Sequence, residues 1–391
     1  MTGEAAALQV GAIEAAQALA PALEARASEA EELRRLPESS FCELEQSGFL
    51  SLLTPTSVGG SGAGLATVAQ ATRELAHGCP ATAWTASFFA IHSWILAHFP
   101  AAACEEAFAG GSHCPVPAAL APTGGLEKVD GGYKLSGRWS YATGVMHSDW
   151  AIVTGILDRD GRIEPRFCLL PQSDVTVVDV WHMAGMQATG SNDIVVDDVF
   201  VPEHRTIATF DLATGIPTSS FGGASMMSLP LQPVLVLTAA APALGAAERA
   251  YGLFLKRMRD RVLAYSLGDK QADQPASQVR LATAKATILG ARSAWEATIA
   301  KVESHHGTDL PLDIRAESRL IAAHTVAESR RAIDIICSGA GASAYQQSSP
   351  LQRLQRDVET LKGHVVFDWD RTAELYGRVE LGLPRRPADM L

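Results

Sequence analysis

Residues 137–150 read Gly-Arg-Trp-Ser-Tyr-Ala-Thr-Gly-Val-Met-His-Ser-Asp-Trp, and residues 181–193 read Trp-His-Met-Ala-Gly-Met-Gln-Ala-Thr-Gly-Ser-Asn-Asp. In the first stretch an alternating strand pattern ends on Trp139 and Tyr141. A small Ala142-Thr143-Gly144 turn follows, and His147 and Asp149 lead into the next alternating run. Small residues in such a turn let main-chain N–H groups come close to a neighbour. The text fits a plain β-turn with an aromatic plug. It fits equally a backbone edge offered to a flat heteroaromatic ring, with the tryptophan as a stacking face.

The surrounding text is also β. Alternating or β-branched runs stand at 132–139, 150–157, 167–170, 175–180 and 193–201, with turn residues at 130–131, 158–161 and 190–192, at sandwich or barrel spacing. Before it, residues 2–110 have helical spacing, broken by a glycine-rich loop at 55–64 and restarted by Pro80. After a Gly/Ser/Thr/Pro-rich stretch at 214–230, four long helical segments are expected at about 232–264, 277–304, 311–336 and 350–377, which suits an antiparallel bundle. The expected class is α+β multidomain: a helical domain over 1–112, a β-barrel or sandwich over 113–225, and a four-helix bundle over 226–391. No βαβ alternation is present, which argues against a Rossmann sheet.

Composition narrows the function. Of 391 residues, 43 are acidic and 32 basic, a net charge of −11, so the chain is a poor partner for nucleic acid or an anionic membrane. With 47% apolar residues it can bury a large core. The apolar run 81–96 contains His92 and Ser93 and is shorter than the roughly 20 residues of a membrane span, so a buried helix is expected. The start, MTGEAAALQV, lacks a basic region, and a cytoplasmic protein is expected. The six cysteines include no C-x-x-C, and neighbouring His305 and His306 diverge on a helix, so no metal is expected. There is no G-x-G-x-x-G after a strand, no P-loop, no G-x-S-x-G and no H-E-x-x-H. The glycine-rich text at 339–343 follows a helix and reads as its C-terminal turn.

The two quoted stretches, the Pro55…Gly59-Gly60-Ser61-Gly62 loop and Arg353-Leu-Gln-Arg-Asp357 together resemble the acyl-CoA dehydrogenase fold family across about residues 35–380. Acyl-CoA dehydrogenases commonly carry a carboxylate base in a Tyr-Glu-Gly context after the Arg-Asp pair. Here residues 358–369 place His364 near that position, and Glu359 stands about a turn and a half of helix too early. With Trp139 to Gly144, His147 and Thr189 to Asp193, this resembles the flavin-dependent monooxygenases of the fold, the oxygenase components of two-component aromatic hydroxylases.

That resemblance implies reduced FMN or FAD supplied by a separate NAD(P)H-flavin reductase. It implies reaction with O2 through a C4a-hydroperoxyflavin, an electron-rich phenolic or polycyclic substrate, and a homotetramer. Oxidation at nitrogen or sulfur is the alternative, and an acyl-CoA dehydrogenase with a relocated base is a further one. It implies Trp139, Tyr141, Ala142, Thr143, Thr189 and Ser191 around the flavin, and Arg261 and Arg356 at its phosphate. Thr143 would bond near N5, and His92 would lie near the oxygen-reactive face. His364 would act as base toward a phenol, a transfer uphill by about 5 kcal/mol in water from pKa values near 10 and 6.5. Trp84, Phe88, Phe89, Trp94 and residues 226–231 would wall a dry pocket. Alanines precede the expected Ala121-Pro122-Thr123-Gly124 turn where phenol hydroxylases carry serines, so larger polycyclic, indole, sulfur-heterocycle or amine substrates stay open.

Overall fold

The computed structural model describes residues 3–215, 225–264, 266–305, 309–384 and 386. The chain opens with α1 (Gly3–Ala25), α2 (Ala27–Leu33), α3 (Glu38–Gln46), α4 (Leu65–Ala76), α5 (Pro80–Leu96) and α6 (Ala101–Ala107). Pro80 sits in the first turn of α5, where a missing N–H leaves no bond unmade. All 17 residues of α5 are buried, which is what a helix apolar on every side requires.

Seven strands follow: β1 (Ala118–Val129), β2 (Gly132–Ala142), β3 (Trp150–Arg159), β4 (Arg162–Pro171), β5 (Thr176–Val178), β6 (Asn192–Pro202) and β7 (Thr206–Ala208). They join in one sheet of order β5-β6-β2-β1-β3-β4-β7, with β1 and β3 parallel and the other pairs antiparallel. Tyr133, Leu135, Trp139, Val153, Ile194 and Val196 form its buried side.

The turn expected at 121–124 is instead strand β1, whose register against β3 shifts between Ala119 and Gly124. Proline and glycine signal a turn, but here they mark an irregularity inside a strand. Gly124 is needed because the Trp139 ring lies against it. A Cβ there would come 2.0 Å from the ring, and one at Gly137 would come 2.8 Å from it.

The last block holds α7 (Thr209–Thr214), α8 (Leu231–Asp260), α9 (Pro275–Glu303), α10 (Leu312–Ala340), α11 (Pro350–Leu361) and α12 (Trp369–Glu380). The segment expected as one helix over 350–377 is two. Gly363 weakens the helix, and His364 leaves it with φ −66° and ψ 136°. The Asp368 carboxylate then accepts from Arg371 N at 3.1 Å and opens α12. That interruption lets His364 turn inward. By length and composition alone α1 and α8 could each cross a membrane. The apolar window of α8 is 83% buried within the protein and that of α1 is 11% buried.

Candidate active site

The site is built where the β2 turn and the turn before β6 meet α5. Tyr141 and Gly144 both take left-handed backbone, with φ of 69° and 76°. Only glycine fits at 144, since a Cβ would lie 2.4 Å from Phe89 Cζ and 3.1 Å from Thr85 Cγ2. Gly144 N donates to Thr189 O at 2.9 Å, which ties the two turns together. Thr143, Thr189 and Ser191 are all buried. Thr143 Oγ1 lies 2.9 Å from Ser191 Oγ, and Ser191 Oγ lies 2.8 Å from Thr189 Oγ1. Thr189 donates to Met186 O at 3.0 Å, and Trp84 on α5 points its indole N–H at Thr143 Oγ1 from 3.4 Å.

Across from this hydroxyl row stand aromatic rings. Trp84 and Phe88 stack with centroids 4.4 Å apart, and the His364 ring lies edge-on to Trp84 at 5.4 Å and to Phe88 at 6.4 Å. His92 meets the same Phe88 ring edge-on at 5.3 Å, and Phe367 lies 6.1 Å from His364. Burial holds both histidines neutral, pushing each down to about 4. Their tautomers differ. Val116 O can only accept, so His92 Nδ1 carries the proton of that 2.8 Å bond, and the buried Nε2, which has no partner, is a bare lone pair. His364 Nδ1 accepts from Val366 N at 3.4 Å, which leaves its proton on Nε2.

The implied site residues therefore divide. His92, His364, Thr143, Thr189 and Ser191 are linked through Trp84 and Phe88. Ala142 is buried in the β2 ladder opposite Asn192. Tyr141 is 66% exposed and packs edge-on against Trp181 at 6.0 Å. Trp139 offers no stacking face. It is fully buried inside the sheet layer, with its indole N–H on Thr154 O at 2.8 Å, and the flanking glycines at 124 and 137 are the signal for that plug. His147 stacks on Phe41 at 5.0 Å.

Arg356 is engaged within the protein. Its guanidinium donates to Gln352 at 2.7 Å, to Glu31 at 2.8 Å and to the Ala184 carbonyl, while Arg353 takes the other Glu31 oxygen at 3.0 Å. Asp357 is buried, which pushes its carboxyl up to about 7, and accepts from Met186 N at 2.6 Å. These residues clasp the 184–186 turn. Arg261 lies elsewhere. It donates to Ala340 O at 2.6 Å and lies over Gly341, whose Cβ would meet the guanidinium at 2.7 Å. Arg257 reaches Ser343 at 2.5 Å, and Arg280 passes Gly339, so three guanidinium side chains gather on one glycine turn.

Sequence reasoning missed two structural supports. Asn192 Oδ1 accepts from both Val180 N and Trp181 N at 3.0 Å, and the Trp84 N–H reaches Thr143. Trp84 read as a pocket wall, and neither contact has a signal in residue spacing. Among the described residues no three His, Cys, Asp or Glu side chains are grouped to hold a metal ion. His306 lies outside the described residues. An open cleft of about 1000 Å³ lies over the sheet, lined by Lys128, Lys134, Asp198 and Glu203 among others, and contains none of the site residues.

Glu359, the nearest carboxylate in sequence to an acyl-CoA dehydrogenase base, is held by Arg330 and by Lys362 at 2.5 Å.

Comparison with known proteins agrees. Residues 12–108 match the family profile "Acyl-CoA dehydrogenase, N-terminal domain" and residues 237–369 match "Acyl-CoA dehydrogenase, C-terminal domain". The chain is 33% identical over 375 residues to the flavin-dependent monooxygenase oxygenase subunit HsaA of Rhodococcus jostii, covering 94% of this chain and 97% of that one. It is 30% identical over 370 residues to the oxygenase component of the FADH2-dependent resorcinol hydroxylase of a Rhizobium species, covering 91% and 90%. The solved structure of XiaF from a Streptomyces species, in complex with FADH2 and glycerol, superposes with a TM-score of 0.92 at 29% identity over 99% of each chain. The chain belongs to the acyl-CoA dehydrogenase family, among its flavin-dependent monooxygenase oxygenase components.

Proposed function

We propose that the chain hydroxylates an electron-rich, uncharged aromatic compound held between the hydroxyl row of residues 143, 189 and 191 and the Trp84, Phe88 and His364 wall. The single observation that carries this is the pair of buried neutral imidazoles on one phenylalanine, one a proton acceptor and the other a donor. A flavin fits the residues present. Thr143 keeps an unused lone pair beside a turn with no bulky side chain, and His92 Nε2 is an orphaned buried acceptor. Reduced flavin, when bound there, supplies the two electrons that let one atom of O2 pass to the substrate while the other leaves as water.

The protein's own part is positioning and proton traffic. His92 Nε2 accepts the proton of the substrate hydroxyl, and His364 Nε2–H donates to the oxygen as negative charge gathers on it. In this reading His92 and not His364 takes the base role that the sequence resemblance implied for His364, a choice supported by the Nδ1 partners Val116 O and Val366 N. Trp84, Phe88 and Phe367 exclude water, which would divert the oxygen to hydrogen peroxide.

The arginines at the 339–341 turn, Arg261 foremost, are the candidates for the flavin phosphate. FMN and FAD both remain suitable. The electrons come from a separate NAD(P)H-flavin reductase, and the working assembly is a homotetramer. Supplying chemically reduced FMN or FAD with O2 and a panel of phenols, indoles and polycyclics tests the reading. Hydroxylated product exceeding hydrogen peroxide supports it. Peroxide alone with every aromatic tried, together with N- or S-oxide from amines or sulfides, would move the activity to heteroatom oxidation.

A further inference from the structure

Residues 114–117 read Cys-Pro-Val-Pro and lead from α6 into β1. Cys114 and Val116 each precede a proline, which biases them to extended backbone, and Pro115 and Pro117 bring no N–H. A segment lacking every second donor makes a poor ladder, and β1 starts only at Ala118. Helix α5 supplies partners instead. Ser93 Oγ donates to Cys114 O at 2.9 Å and accepts from Cys114 N at 3.4 Å, the two-bond exchange that a neighbouring strand would make. One residue earlier on α5, His92 Nδ1 donates to Val116 O at 2.8 Å. At the far end Pro117 O accepts from Ile152 N at 2.9 Å, which ties the segment to β3. His92, Ser93, Cys114 and Val116 are all buried, so these bonds, not bulk solvent, satisfy the backbone here.

We propose that Ser93 is a positioning residue for His92: its grip on Cys114 holds the Val116 carbonyl where it captures the Nδ1 proton, which keeps Nε2 a bare lone pair. The inference rests on the reading above that His92 Nε2 takes the proton of the substrate hydroxyl. A neutral imidazole has two tautomers, and the one protonated on Nε2 would meet that hydroxyl with no lone pair to offer. Burial pushes His92 down to about 4, so at neutral pH the tautomer is the only choice left to it. Nε2 is buried without a partner of its own, so the partner of Nδ1 decides. That partner belongs to a segment whose position the two Ser93 bonds set.

The test reads the tautomer directly, from ring-nitrogen NMR of the full chain labelled with 15N-histidine at neutral pH. Signals lost in His92→Asn identify residue 92. The unaltered chain should show one protonated and one bare ring nitrogen there, with the proton on Nδ1. Ser93→Ala should move the ratio of the two tautomers about five- to tenfold toward Nε2–H, the weight of one lost hydrogen bond. Ser93→Thr retains the hydroxyl and should retain the ratio. A second readout uses reduced FMN, O2 and p-cresol. There Ser93→Ala should lower kcat about fivefold with KM little changed, because proton transfer and not substrate binding is impaired. An unmoved tautomer ratio in folded Ser93→Ala would overturn the inference and leave the role of His92 standing. If the ratio moves but Ser93→Ala, His92→Asn and the unaltered chain hydroxylate p-cresol equally, His92 is not the proton acceptor. The functional reading then falls with the inference.

Discussion

Trp84 joins the two halves of the site: its indole N–H points at the Thr143 hydroxyl from 3.4 Å while its ring meets the His364 imidazole edge-on at 5.4 Å. One α5 side chain thus positions the β-layer hydroxyls and supports the imidazole loop. Trp84→Ala should open the apolar wall to water and send more than half of the oxygen consumed to hydrogen peroxide, measured with a coupled peroxidase assay. Unchanged coupling in this variant would show that the ring does not guard the reacting atoms.

The turn at Gly144 has no room for a side chain and uses left-handed backbone. Gly144→Ala must displace Phe89 from the core of α5 as well as strain the backbone. Overpacking and strain together should cost about 2–4 kcal/mol in urea unfolding. The flavin affinity should fall with it, since the turn carries Thr143.

Acid should destabilise the protein through its buried histidines. The ordinary histidine pKa is 6.5, and burial holds His92 and His364 at about 4. As pH falls below 6.5 the unfolded chain takes up protons that the folded chain refuses, so stability drops between about pH 6.5 and 4 and levels off below. For His92 alone the ceiling is about 3 kcal/mol. Asp357, pushed up to about 7, has the opposite sign: its contribution is full below pH 4 and is lost as pH rises through 7. His92→Asn should flatten the acid limb of a stability-against-pH curve, and Asp357→Asn should steepen it. The same limb in all three proteins would contradict these assignments.

Arg261 and Arg356 should separate cleanly. Arg356 bonds Gln352, Glu31 and Ala184 O, so Arg356→Ala should lower the melting temperature by loosening the clasp on the 184–186 turn. Arg261→Ala should instead weaken FMN binding about tenfold or more, as removal of a phosphate-bonded cation does. Equal FMN affinity in Arg261→Ala and the unaltered chain would take Arg261 out of the phosphate site.

Much of this is legible in the sequence. The order helix, sheet, helix follows from the change of period near residue 112 and its return after 230. The gathering of Thr143, Thr189, Ser191, His92 and His364 followed from resemblance to the family and not from spacing, since five positions spread over 270 residues carry no local signal. Four things are hidden for physical reasons. Trp139 reads equally as a stacking face and as a plug until Gly124 and Gly137 are seen to make room for it. Arg356 reads as a spare cation because its partner Glu31 lies 325 residues away. The break at Gly363 is weak in sequence, because one glycine in a long helical segment is often tolerated. The two tautomers depend on the backbone atoms Val116 O and Val366 N, which no side-chain pattern reveals.

The claim on which the rest stands is where the flavin ring binds. A crystal structure of the protein with reduced FMN, prepared without oxygen, measures it directly. The account expects the ring edge within about 3.2 Å of Thr143 Oγ1, a normal hydrogen-bond distance, with His92 and His364 on the side where substrate enters. A ring bound away from residue 143, or with both imidazoles beyond reach of any ligand on its open face, would contradict it.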